Sequence, residues 1–281
     1  EGFSGEGNAV MKLDGAPEGT ADLARWLRDN MPRLAFEARG MTWDLYEQKL
    51  SAMGGIVEEF IEGEFKRSPS AQLRVDPGGH LDIVSTHDQV LGGEHDQIFL
   101  GCRFPADAAY RLAIQDQGLA AGRALAEKGA LGRFSVDFLS VREAGEWRHK
   151  AIEVNLRKGG TTHPFLMLQF LTDGHYDAAS GRFLTPAGQP RCYYATDNLE
   201  SEAYRGLTPR DLLDIAATNG LHFNAATQEG VSFHLIGALS EFGKLGMVAI
   251  GTTQERADAL YDRVVETLDR EASTPSAGHR G

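Results

Sequence analysis

The chain has 281 residues, 42% of them hydrophobic, which is enough to build one large domain or two modest ones. Its 28 Lys and Arg residues against 40 Asp and Glu residues give a formal net charge of −12, which argues against a nucleic-acid-binding surface. The two cysteines, Cys102 and Cys192, are far apart and outside any CxxC spacing, so they predict neither a disulfide scaffold nor a zinc site and favour a reducing cytoplasm.

The first quarter of the chain predicts short strands and two helices. It begins without Met, at EGFSGEGNAVMKLDG, which is typical of a glycine-rich turn leading into a strand at residues 9–13. We therefore expect an N-terminally truncated or processed chain. Apolar residues at helical spacing predict helices at residues 20–31 and 42–53, each opened by a Thr suited to N-capping. The β-branched stretch GGIVEEFIEG, residues 54–63, predicts a strand.

Two hairpins and several helices are predicted in the remainder. AQLRVDPGGHLDIVSTHDQ predicts a hairpin with its turn at residues 76–79, and apolar spacing predicts a helix at residues 107–128. RFSVDFLSV and KAIEVNL predict a second hairpin with a turn near Gly145. Thr208 and Asp211 form a capping box ahead of a helix, FHLIGALSEFGKLGMVAIG predicts two apolar strands around a turn, and residues 254–270 predict a final helix.

The second hairpin carries the residues most suggestive of chemistry. Because alternate side chains of a strand share a face, Glu153, Asn155 and Arg157 are predicted to point one way. The apolar residues between them are predicted to pack into the sheet core: Ile152, Val154 and Leu156. Asp137, on the preceding strand, comes close to being opposite Glu153, at roughly 5 Å across the strands. Two carboxylates and an amide oxygen suit Mg²⁺. The alternative is a solvated polar sheet face.

Two other stretches predict nucleotide contacts. In GFSGEGNA the glycines allow consecutive backbone N–H groups to surround phosphate oxygens, although an ordinary glycine turn explains the pattern equally well. In IVEEFIEGE a strand end can offer backbone groups to an adenine edge and a carboxylate to the ribose hydroxyls. The alternative there is a buried strand with a charged exit.

Taken in this order, the glycine loop, the E-x-F-I-x-G stretch and D…E-x-N-x-R resemble the ATP-grasp superfamily of carboxylate–amine ligases. Other stretches, among them QLRVDP, STHDQVLGG, FLGCRFPAD and EVNLRKGGTTHPF, resemble the pheganomycin-type peptide ligases, and the resemblance spans residues 1–261. It implies an α+β ATP-grasp fold, in which antiparallel sheets with flanking helices hold the nucleotide between a small lid subdomain and a larger core. The expected division is a lid at residues 1–66, a core at 67–175, a C-terminal extension at 176–272 and a disordered tail at 273–281.

The resemblance also implies roles for particular residues. Asp137, Glu153 and Asn155 correspond to the ligands of two Mg²⁺ ions, with Mn²⁺ as an alternative, and Arg157 corresponds to the arginine that steadies the acyl phosphate. The nucleotide contacts correspond to Ser4, Gly5, Glu6, Gly7 and Asn8 in the loop, to Glu58, Glu59, Phe60 and Ile61 at the adenine, and to Glu64 at the ribose. The family's lysine before the glycine loop is missing from this chain, and Lys12 lies after the loop.

Four more polar residues are candidates from their surroundings in the sequence. His87 is either a proton acceptor near the incoming amine or a hydrogen-bonded structural imidazole. Arg74 and Arg103 are candidates for binding a phosphate or a substrate carboxylate, with exposed salt bridges as the alternative. Lys158 is expected to line the acyl site.

The resemblance implies an ADP-forming ligase that activates a carboxylate as an acyl phosphate and joins it to an amine, as in natural-product biosynthesis. The alternatives are a catalytically incomplete nucleotide-binding fragment and an ATP-grasp kinase. We expect small-molecule or peptide substrates in the cytoplasm, no nucleic-acid partner and no membrane association, since no apolar run is long enough to span a bilayer. A homodimer remains open.

Overall fold

A computed structural model of the protein describes residues 8–36, 40–63, 65–92 and 98–273. The chain divides into two compact units: Glu1–Glu62 with Leu91–Phe99, and Gly63–Val90 with Leu100–Gly281. The predicted C-terminal extension falls within the second unit, and so does the predicted core except for residues 91–99, which belong to the first unit. The four-part division stays a prediction. Among the described residues, no helix combines the length and the apolar character that crossing a membrane requires.

The first unit contains a short strand pair and two helices. Its elements are β1 (Ala9–Val10), α1 (Thr20–Asn30), β2 (Ala35–Phe36) and α2 (Trp43–Met53), with β1 and β2 antiparallel. Both predicted helices are confirmed, and the Thr42 hydroxyl caps α2 by accepting a hydrogen bond from the Leu45 N–H. The predicted strand at residues 54–63 is wrong, because this stretch forms neither helix nor strand. Its β-branched residues Ile56 and Val57 are exposed rather than buried in a sheet.

The remaining strands are β3 (Phe65–Arg67), β4 (Pro69–Val75), β5 (Leu81–Gly92), β6 (Ile98–Phe104), β7 (Gly132–Glu143), β8 (Glu146–Asn155), β9 (His175–Asp177), β10 (Arg182–Leu184), β11 (Pro190–Glu200), β12 (Gly230–His234) and β13 (Lys244–Gly251). The remaining helices are α3 (Arg111–Glu127), α4 (Thr162–Thr172), α5 (Pro209–Thr218), α6 (Leu239–Phe242) and α7 (Gln254–Ser273). The main sheet has the order β12-β13-β11-β6-β5-β4-β7-β3. β7 is long enough to pair with β4 at residues 132–137 and with β3 at residues 140–142, and it also pairs with β8.

Two hydrophobic cores stabilise the second unit. The first lies where α3 packs on β4 and β7, and its fully buried residues include Leu73, Ile114 and Phe138. Gly118 of α3 allows the close approach, since a Cβ at this position would lie 2.8 Å from the Ala71 Cβ. The second core joins α5 and α7 to β11, β12 and β13 around buried residues that include Met247 and Val264. One face of β4 and β7 is thus covered by α3, and the opposite face is left for polar side chains.

The predicted capping box at the start of α5 is confirmed. The Asp211 N–H donates to Thr208 Oγ1 at 3.2 Å, and the Thr208 N–H donates to Asp211 Oδ2 at 2.8 Å. We expect Thr208→Ala to lower the free energy of unfolding by about 1 kcal/mol, because the substitution removes the acceptor for a helix N–H. Urea denaturation measures this loss. Thr208→Ser keeps the hydroxyl and serves as the control, and an equal loss in both variants would show that the cap is not the cause.

Candidate functional site

Polar side chains form two neighbouring rows across β4, β7 and β8. In an antiparallel pair, directly opposite residues project to the same face, and so do residues two apart along a strand. The first row is Ser70, Asp137 and Glu153, and the second is Gln72, Ser135 and Asn155. All six therefore lie on the sheet face opposite α3.

Asp137 is the best-anchored member of these rows. The Ser70 hydroxyl donates to Asp137 Oδ1 at 2.6 Å, and Asn155 Nδ2 donates to Asp137 Oδ2 at 3.1 Å. Gln72 Nε2 in turn donates to Ser70 Oγ at 2.7 Å. Because the amide nitrogen of Asn155 is directed at Asp137, the amide oxygen is the atom left to meet a cation. Glu153 is exposed, so both of its carboxylate oxygens are accessible.

The charge at this face favours a cation. Burial raises the pKa of Asp137, and the negative charge of Glu153 raises the pKa further, while the hydrogen bond from Ser70 acts in the opposite direction. A divalent ion between the two carboxylates would offset both unfavourable effects. The described residues contain no cluster of three or more His, Cys, Asp or Glu side chains that could hold a metal. The donors here are two carboxylates and an amide oxygen, a hard set that fits Mg²⁺.

A β-bulge brings Glu153 opposite Asp137. The turn of the hairpin lies at Ala144 and Gly145, both with positive φ, as a two-residue hairpin turn of type I′ requires. A regular hairpin with this turn would pair Asp137 with Ile152. Ile152 instead has no partner on β7, since the register shifts between Asp137 and Phe138. The extra residue turns Glu153 and Asn155 towards the polar face, in keeping with the frequency of bulges beside active sites.

The structure corrects two details predicted for this strand. β8 ends at Asn155, and Arg157 lies in the following bend, where its N–H donates to the Asn155 carbonyl at 2.8 Å. Arg157 is therefore exposed beyond the strand end rather than one repeat further along it. The prediction that the intervening apolar residues pack into the core is also wrong, because β8 lies outside β7, beyond the strands that α3 covers. The exposed fractions are 44% for Ile152, 43% for Val154 and 62% for Leu156.

His87 lies opposite Ser70, in line with the first row, but its ring is enclosed. Its Nε2 is 2.5 Å from the Tyr193 hydroxyl, and its ring centroid is 5.1 Å from that of Phe104. Burial lowers the pKa of His87 to about 3, so the imidazole is neutral at physiological pH. These contacts favour the structural alternative for His87.

The other positively charged candidate residues, Arg103, Arg74 and Lys158, differ in their surroundings. Arg103 on β6 donates to Asp258 of α7 at 3.1 Å, with its guanidinium 5.0 Å from the centre of the Tyr194 ring. Arg103 therefore forms a salt bridge, which was the alternative to binding a phosphate or a substrate carboxylate. Arg74 is exposed on β4, on the same face as Gln72, and Lys158 is exposed after β8. Of these three residues, only Arg74 shares the polar face of the sheet.

The predicted nucleotide contacts are only partly covered by the structure. Ser4, Gly5, Glu6, Gly7 and Glu64 lie outside the described residues. The others belong to the first unit: Asn8, Glu58, Glu59, Phe60 and Ile61. Of these, all but Ile61 are exposed. Their assignments stay predictions.

Sequence reasoning did not identify Ser70, Gln72, Ser135 or Arg133 as members of this face. A signal was present, because polar residues occur at every second position of β4 as S-x-Q-x-R and of β7 as R-x-S-x-D. Alternation of this kind marks one face of a strand.

Similarity to known proteins agrees with this geometry. The sequence family described as "IQCH-like, ATP-grasp" matches residues 17–179, more than half of the chain and the part that contains every residue of the two rows. The chain belongs to this ATP-grasp family. The predicted superfamily is thereby confirmed. Residues 211–264 match a second family, described as "PGM1 C-terminal domain".

The proteins similar to the chain include two curated relatives and a solved biotin carboxylase structure. L-propargylglycine–L-glutamate ligase of Streptantibioticus cattleyicolor is 36% identical over 79% of this chain and 44% of its own length. IQ motif-containing protein H of Danio rerio is 19% identical over 87% of this chain and 23% of its own length. The chain thus spans less than half the length of either relative. A biotin carboxylase from Campylobacter jejuni covers 95% of the chain, and the chain covers 66% of it, with a TM-score of 0.51 and 15% identity. This structural likeness confirms the α+β ATP-grasp fold.

Proposed function

We propose that the protein is an ATP-dependent ligase that activates a substrate carboxylate as an acyl phosphate and joins it to an amine. The observation that carries the proposal is the pair of carboxylates, Asp137 and Glu153, with Asn155 beside them on one sheet face of an ATP-grasp chain. The similar L-propargylglycine–L-glutamate ligase supports the reaction type. By the same analogy, the proposed substrates are small acids and amines of the amino-acid or peptide class, used in natural-product biosynthesis in the cytoplasm.

The proposed reaction has two steps. A carboxylate oxygen attacks the γ-phosphorus of ATP, the bond from that phosphorus to the β–γ bridging oxygen breaks, and ADP leaves. The amine nitrogen then attacks the carbonyl carbon of the acyl phosphate, phosphate leaves, and the nitrogen loses a proton as the amide forms. The first step gathers negative charge in one place, so catalysis depends mainly on positioning and charge neutralisation.

The residues in and near the polar face have different roles in the proposed reaction. Asp137, Glu153 and the amide oxygen of Asn155 would hold Mg²⁺, which neutralises the phosphate oxygens when bound. Ser70 keeps the Asp137 carboxylate in place through its 2.6 Å hydrogen bond. Arg157 and Lys158 are exposed after the end of β8, where they supply positive charge near the acyl phosphate. We place His87 in the structural role, within the aromatic core around Phe104.

An ADP-release assay with pools of carboxylic acids and amines tests this proposal on the full-length protein. We expect sustained ADP release only when an acid, an amine and Mg²⁺ are all present, because the acyl phosphate turns over only when an amine attacks it. Omitting each component in turn is the control. Release with a single acceptor, together with a stable phosphorylated product, would assign the protein to the kinases. The absence of release from every pool would support a nucleotide-binding protein without turnover.

A further inference from the structure

A third row continues the polar face beyond the proposed metal ligands. Arg74 on β4 lies directly opposite Arg133 on β7, one side-chain repeat past Gln72 and Ser135. The two guanidinium groups thus share the face of Asp137. Arg133 is half-buried and Arg74 is exposed.

This pairing is electrostatically unfavourable. Like charges directly opposite each other on neighbouring strands destabilise a sheet. Partial burial lowers the pKa of Arg133, and the charge of Arg74 lowers it further. Asp82 on β5 is opposite Arg74 in register. Even so, over the described ranges neither guanidinium takes part in a hydrogen bond or in an ion pair within 4 Å. A like-charge pair whose guanidinium groups make no such contact is typical of a site that binds an anion.

The position of the pair along β7 indicates which anion it binds. β3 pairs with β7 at residues 140–142. Asp137 comes next along β7, and Arg133 lies four residues further on, roughly 13 Å away along an extended strand. The carboxylates therefore lie between the β3 end of β7 and the arginines. An anion held by Arg133 would therefore lie on the far side of the proposed metal ligands from β3.

We propose that Arg74 and Arg133 bind a free carboxylate of the amine-bearing substrate, so that the enzyme selects an amino acid or a peptide as its amine. The inference rests on the proposed ligase function. The carboxylate of the other substrate is consumed at the γ-phosphate, beside Asp137 and Glu153, so the carboxylate that persists through the reaction belongs to the amine. Two guanidinium groups on adjacent strands match a carboxylate, which accepts paired hydrogen bonds from arginine.

Kinetics on the full-length protein separate this role from ATP binding. With L-glutamate as the amine, we expect Arg133→Gln and Arg74→Gln each to raise KM for the amine by about 10-fold, because a charge-assisted hydrogen bond is lost. KM for ATP should stay within about twofold of the wild-type value. The diamide of glutamate, which lacks both carboxylates, should react equally well with variants and wild type. Arg148→Gln on β8, an exposed arginine 3.3 Å from Glu143, is the matched control.

Thermal unfolding gives a readout that does not need turnover. We expect L-glutamate to raise the melting temperature of the wild-type protein but not that of the Arg74→Gln/Arg133→Gln double variant. Without ligand, the double variant should melt no lower than wild type, since a like-charge pair has been removed.

An increase in KM for ATP alone would assign the arginines to phosphate. An unchanged KM for L-glutamate, or stabilisation of both proteins alike, would overturn the proposal. If the ligase assay fails while stabilisation by L-glutamate depends on the arginines, the fault lies with the proposed reaction and not with the carboxylate site.

Discussion

Replacing Glu153 with Gln in the full-length protein is expected to lower kcat by about two to three orders of magnitude and to leave the fold intact. Glu153 is exposed, so the substitution removes a charge without opening a cavity. The loss is large because removing one preorganised electrostatic group from an active site typically costs a factor of about 10² to 10³. The metal would then be bound by one carboxylate, that of Asp137, instead of two.

ADP release in the presence of an acid and an amine measures this loss, and thermal unfolding checks the fold. Glu146→Gln is a matched control, because Glu146 is an exposed glutamate on the same strand, next to the hairpin turn. The control should turn over at the wild-type rate. Near-normal activity of Glu153→Gln would remove Glu153 from the set of metal ligands.

His87 is expected to make the protein less stable in mild acid. Burial lowers the pKa of His87 from 6.5, the usual pKa of a histidine, to about 3 in the folded protein. Below pH 6.5 the unfolded chain therefore binds a proton that the folded protein excludes. The stability contributed by neutral His87 is complete above this pH, and it is lost as the pH falls towards 3, by about 1.4 kcal/mol for each pH unit.

Urea denaturation at several pH values between 7 and 4 measures this dependence. Burial also lowers the pKa of His234, to about 4, so the comparison that isolates His87 is wild type against His87→Gln. We expect the variant to be less stable at pH 7 and the gap to close as the pH falls. The control is His222→Gln, which replaces an exposed histidine and should leave the free energy of unfolding at pH 7 close to that of wild type. Parallel curves for wild type and His87→Gln would show that His87 is not the titrating group.

The elements with a clear local signal were predictable. Helices α1, α2, α5 and α7 have apolar residues at helical spacing, and the Thr208 capping box fixed the start of α5. Both hairpins followed from their turn residues. The pairing of Asp137 with Glu153 was also expected, from a turn centred on Gly145. The turn is in fact centred between Ala144 and Gly145, which in a regular hairpin would pair Asp137 with Ile152. The bulge at Ile152 brings Glu153 opposite Asp137 instead.

Features that depend on tertiary contacts escaped prediction. Helix α4 has apolar residues on several faces, with Phe165 buried and Phe170 exposed, so it lacks a helical pattern. The stretch at residues 54–63 has the composition of a strand but forms neither helix nor strand. In the candidate site, Arg133 carries no motif of its own. Its place beside Arg74 follows from the register of β4 and β7, which a single sequence does not specify.

A crystal structure of the full-length protein with Mg²⁺ and a non-hydrolysable ATP analogue tests the central claim most directly. We predict magnesium ions about 2.0–2.1 Å from carboxylate oxygens of Asp137 and Glu153 and from the amide oxygen of Asn155, and bridged to the phosphates of the nucleotide. Magnesium and phosphates bound elsewhere, with these three side chains contacting only solvent and each other, would contradict the account.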